Sequence, residues 1–166
     1  MRSRTALWAL AVVGIAIILQ TTLFDQLALF GAYPDVVLLV VILCARYLDP
    51  NFTLLLGFTA GLSLDLLGTS PIGLLALVLT LVAYAVTRSG EWTDVSAITS
   101  IFSTLLFSLM GVALLALIGT LFNQNTTAGE ATLRTILLLP VYNTILGFFL
   151  APLVGRALKP RPRAPL

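Results

Sequence analysis

The chain reads as an all-α membrane protein, a six-transmembrane-helix bundle with both termini cytoplasmic, and three observations predict it. Hydrophobic residues make up 59% of the sequence and charged residues 10%, with a mean hydropathy of +1.07, more apolar than one soluble core can hide. Uncharged runs at residues 5–20, 66–87, 95–129 and 135–155 each approach or exceed the ~20 residues that cross a hydrocarbon core. The basic residues also segregate to one side of the spans these runs define.

The first span is placed at residues 6–24; its charge pattern is that of a signal peptide, but no small-x-small site closes it, so it is read as retained. Spans two and three, at residues 34–48 and 52–68, flank the turn Arg46-Tyr47-Leu48-Asp49-Pro50-Asn51. Pro50 lacks a backbone donor and pushes Asp49 out of the helical region, which separates two elements. Pro34 and Asp35 are ordinary start signals, a proline in the first turn and an acid at the positive helix end. Both spans are short, and a re-entrant pair that dips in and returns is the alternative. Arg46 is expected to reach the headgroups along its aliphatic stem. Spans four to six follow at residues 71–87, 95–122 and 135–155, and a basic, proline-rich tail at 156–166 is expected to lie on the cytoplasmic leaflet.

With six spans and a cytoplasmic N-terminus, Arg2, Arg4, Arg46, Arg88, Arg156, Lys159, Arg161 and Arg163 fall inside and Arg134 alone falls outside. Asp25, Asp35 and Glu130 then lie outside. Trp8, Tyr33, Tyr47, Tyr84, Trp92 and Tyr142 fall mostly near span ends, where aromatic rings anchor at the interface.

Several function classes are excluded on residue types. No histidine is present and Cys44 is the only cysteine, which leaves no metal cluster and no disulfide. Ser63, Ser70, Ser103 and Ser108 have no adjacent base and no phosphate-binding loop occurs, so neither enzyme activity nor a cofactor is expected. The basic charge is too little clustered for nucleic acid. A proton pathway needs a relay of ionisable groups that one intramembrane carboxylate does not provide.

That carboxylate is the most informative residue. Asp65 costs roughly 2.5–3.5 kcal/mol at a bilayer centre, and less near an interface, so it needs a partner. Gly57, Gly61 and Asp65 recur at four-residue steps and share one helix stripe, a groove in which a neighbouring backbone can approach closely. One reading makes this a docking surface for another protein's helix, weakened by Gly61→Leu; the other makes it intramolecular packing, with Asp65 capping the turn Gly68-Thr69-Ser70-Pro71. Asn143 is expected to bridge two helices by hydrogen bonding.

Pro34-Asp35, the turn at Pro50, Gly57-x-x-x-Gly61-Leu62-x-x-Asp65-Leu66-Leu67-Gly68 and Gly73-Leu74-x-Ala76-Leu77 with Tyr84 together resemble the rod shape-determining MreD family. The resemblance is specific over residues 34–84; beyond Arg88 only the general pattern with Pro140, Tyr142 and Asn143 agrees. It implies a non-enzymatic scaffold in the bacterial inner membrane that binds the single-span protein MreC and works with RodA, a class B penicillin-binding protein and the MreB filament. It also implies a fold similar to the substrate-binding subunits of energy-coupling-factor transporters, with six helices around a potential pocket. A small-molecule carrier, binding a vitamin or ion in that pocket, is accordingly the alternative function.

Overall fold

The computed structural model describes residues 3–22, 34–68, 71–89, 97–121 and 130–158, and the side chains of 5–22, 34–68, 71–89, 98–121 and 136–158 among them. Expectations for Asp25, Tyr33, Ser70, Trp92, Glu130, Arg134 and the tail beyond residue 158 lie outside these described side chains. The described residues form six helices: α1 (Ser3–Thr22), α2 (Val36–Ala45), α3 (Pro50–Leu67), α4 (Leu74–Arg88), α5 (Ala97–Leu121) and α6 (Glu130–Leu158). The described residues contain no sheet.

Four helices carry windows long and apolar enough to cross a membrane: Thr5–Thr22, Pro50–Leu67, Ile98–Leu121 and Ile136–Leu158. The other two, α2 and α4, have 10 and 15 residues. At 1.5 Å per residue, α2 is about 15 Å long, half of a hydrocarbon core.

Helix α2 is the hub of the fold. Each of the other five helices packs on it, while α3 pairs with α4, α4 with α5, α5 with α6, and α1 with both α3 and α6, closing a ring. All ten of its residues are buried. Five of these, Val36, Val37, Val40, Val41 and Ile42, are β-branched and weakly disfavour a helix. Where protein and lipid surround a segment without water, its backbone groups must pair internally, and that requirement outweighs the side-chain preference. The bundle centre is thus occupied by α2.

The N-terminal end of α2 has donors that no turn of its own can satisfy. Asp35 Oδ1 accepts from the Leu38 N–H at 2.9 Å, and Gln20 Oε1 on α1 accepts from the Val37 N–H at 2.8 Å. Asp35 therefore caps the helix, and Pro34, expected within the first turn, is buried one residue before the cap. The proline that opens a helix is Pro50, behind the extended N-cap Asp49.

Ring helices carry glycines where α2 presses on them. A Cβ on Gly111 of α5 would lie 2.9 Å from Leu38 Cδ2, and one on Gly147 of α6 would lie 3.2 Å from Leu39 Cδ1. On the outside, Trp8, Phe58, Tyr84, Phe102 and Phe148 are exposed, the surface expected of a body solvated by lipid.

If α2 is the hub, truncating one of its side chains should cost far more than truncating a ring side chain that faces outward. Leu39→Ala is expected to destabilise the purified protein by about 2–5 kcal/mol in detergent unfolding. Leu117→Ala, at a site 61% exposed, should change it by less than about 0.5 kcal/mol.

Candidate functional site

The stripe of Gly57, Gly61 and Asp65 faces α4 of the same chain. A Cβ on Gly61 would come within 2.5 Å of Ala76 Cα, Ala76 N and the Leu75 carbonyl oxygen, so no other residue fits without moving the backbone. At Gly57 a Cβ would sit 2.9 Å from the Leu79 carbonyl oxygen and 3.2 Å from Ala83 Cβ. Small residues on both helices thus let α3 and α4 approach as closely as backbones allow.

Asp65 completes this seam. It is buried, and its carboxylate accepts from the N–H groups of Gly73 (2.9 Å, Oδ2), Leu75 (3.0 Å, Oδ1) and Ala76 (3.1 Å, Oδ2). The Leu74 N–H donates to the Pro71 carbonyl at 3.2 Å, and the first in-helix bond runs from Leu77 to Gly73. All four donors that a helix start leaves open are therefore satisfied, three of them by a side chain from the preceding helix. A negative group at this end also meets the positive pole of the α4 dipole.

Of the two readings of the stripe, this arrangement supports intramolecular packing with Asp65 as a cap. The groove holds α4, and Asp65 reaches past the turn to cap the helix beyond it. An external helix would have to displace α4 to enter.

The remaining sequence-derived positions are dispersed. Gly73 is the N-cap of α4 with φ of 100°, a left-handed conformation that an L side chain adopts at a cost. Gly68 ends α3 with φ of −96°, open to any residue. Tyr84 is exposed on α4. Asn143 of α6 is fully buried and donates to Ser108 Oγ of α5 at 3.3 Å, while its Oδ1 is left without a partner. Cys44 is buried in α2, and no group of three His, Cys, Asp or Glu among the described residues could hold a metal.

Arg46 departs from expectation. Its guanidinium turns inward to α5, where Nη1 donates to Ser100 Oγ at 2.5 Å and Nη2 donates to Ser103 Oγ at 2.6 Å, Thr104 Oγ1 at 2.9 Å and the Ser100 carbonyl at 3.3 Å. The hydroxyl cluster inside the bundle accepts from the guanidinium and ties the end of α2 to α5. The signal for this was present in the sequence: Ser100, Ser103 and Thr104 are spaced three and four apart on an otherwise apolar helix.

The family model described as rod shape-determining protein MreD matches residues 1–156 of the chain. No curated protein and no solved structure matches it.

Two substitutions test the α3–α4 seam. Asp65→Ala strips a side-chain acceptor from three buried N–H groups and should destabilise by at least about 1–3 kcal/mol, read as a fall in melting temperature. Gly73→Ala should cost about 1–2 kcal/mol from its left-handed backbone alone, since nothing lies within 4 Å of the added Cβ.

Proposed function

The chain belongs to the rod shape-determining protein MreD family, and on that premise we propose that it is a non-enzymatic membrane scaffold of the bacterial cell-elongation complex, docking the transmembrane helix of an MreC-like partner. Its role in rod-shape determination follows from the family; the docking step is our reading. RodA, a class B penicillin-binding protein and the MreB filament are further partners under the same reading.

Gly57 and Gly61 are engaged by α4, so the partner's helix has to meet an outward face. Helix α1 is the least covered of the four long helices, with 17% of its apolar window buried. Its residues Leu7, Ala11, Gly14 and Ile18 recur at three- and four-residue steps and so form one stripe. Gly14 is the observation that favours this stripe: a Cβ there would meet nothing within 4 Å, which leaves a notch that the chain does not fill itself. Because lipid tails are as apolar as a helix surface, association between helices depends on such close packing.

Gly14→Leu is expected to fill the notch and lower recovery of the MreC-like protein from native membranes severalfold, with the melting temperature of the isolated chain unchanged. Unchanged recovery would move the docking face off α1. Loss of recovery together with a lower melting temperature would show that Gly14 serves the fold instead.

A further inference from the structure

Beside the Arg46 cluster a half-open cavity of about 490 Å³ lies between α5 and α6, bounded by Tyr47, Ser100, Ile101, Thr104, Phe148 and Phe149 among others. Its walls are of two kinds. Phe148 and Phe149 are exposed and meet edge to face with ring centroids 5.5 Å apart, which makes the outer side of the cavity apolar. The inner side carries the hydroxyl residues Ser100 and Thr104, which also hold the Arg46 guanidinium.

Arg46 gives this wall its charge. All four of its hydrogen bonds end on neutral oxygens, which satisfy donors without cancelling the positive charge. Ser100 Oγ accepts from Arg46, and among the described residues neither its own proton nor that of the Tyr47 phenol has an acceptor. The Tyr47 hydroxyl lies against Gly155, where a Cβ would be 2.9 Å away, and the exposed Arg156 follows directly. Arg88 closes α4 at the same end of the bundle, because Ala83 stands opposite Gly57 in the antiparallel hairpin. Hydroxyl donors, a cation behind them and an apolar exit together match a ligand that is anionic at one end and hydrocarbon at the other.

We propose that this cavity binds the anionic headgroup and upper acyl chain of a membrane phospholipid. The headgroup phosphate accepts from Ser100 and Tyr47 in the field of Arg46, and the chain leaves along the apolar surface of Phe148 and Phe149. Positive charge between membrane helices favours an anionic headgroup, here from Arg46 behind the hydroxyls that line the cavity, and hydrogen bonds to a charged group are the stronger ones.

The test uses the purified full chain in neutral detergent, titrated with dioleoyl phosphatidylglycerol, dioleoyl phosphatidylcholine or soluble glycerol 3-phosphate. Phosphatidylglycerol is expected to raise the melting temperature by roughly 5 °C or more near saturation, with little effect from the other two. Ser100→Ala and Tyr47→Phe, which remove hydroxyls without adding bulk, should each weaken the phosphatidylglycerol response roughly tenfold in concentration. Ile101→Trp should fill the cavity and abolish it, while the lipid-free melting temperature stays within a few degrees of the parent. Equal responses to phosphatidylcholine would overturn the proposal, as would a full response in all three variants. A response to glycerol 3-phosphate alone would make this a small-anion site and refute a lipid site. No partner protein is needed for the measurement, so its result is independent of the docking face assigned to α1.

Discussion

A helix with no exposed face and only ten residues imposes the rest of this architecture. Buried on every side, α2 requires helices all around it, and the ring of α1, α3, α4, α5 and α6 supplies them. Unpaired backbone donors at its N-terminal end would be costly and are met by side chains, while at the other end the Cys44 carbonyl accepts from the Tyr47 and Leu48 N–H groups. Gln20 of α1 and Asp35 meet the N-terminal donors, and Ser100, Ser103 and Thr104 receive the arginine that follows the C-terminal end. These contacts position α1 and α5 along the α2 axis. Gly111 and Gly147 then set how near α5 and α6 come.

The same physics recurs in the α3–α4 hairpin, on a smaller scale. Helix α4 is also short, and its start is held within the bundle by the Asp65 carboxylate while the two glycines of α3 admit its backbone. Close approach and capping depend on one another: without Gly61 the first turn of α4 could not come near enough for Asp65 to reach it. The consequence for function is that the polar and small residues which would suit an external ligand at this seam are committed to the fold. What the described residues present outward is a largely apolar surface.

Against that outward uniformity two features stand out, and they serve different readings. Gly14 interrupts the surface of α1 with a notch suited to a closely packed helix. The cavity at Tyr47 interrupts the α5–α6 surface near Arg46, whose charge, with the hydroxyl protons of Ser100 and Tyr47, favours an anion. Because Arg46 joins α2 to α5, occupancy of that cavity bears directly on the hub, so lipid composition would act on the stability of the whole ring.

The all-helical class, the long helices α1, α5 and α6, the cap at Asp35, and the stripe of Gly57, Gly61 and Asp65 were legible in the sequence, because each follows from local periodicity or composition. Partners at a distance were not. A glycine stripe states that some backbone approaches but not which one, and here α4, next along the chain, takes the place assigned to a visitor. Arg46 looked free to extend to the headgroups because its receivers, Ser100 to Thr104, lie 54 to 58 residues away and only the bundle brings them near. Nor could ten apolar residues announce that they form the hub: a short buried run reads alike in a crossing, a re-entrant loop or a core, and only the five helices packed on α2 show that it is enclosed.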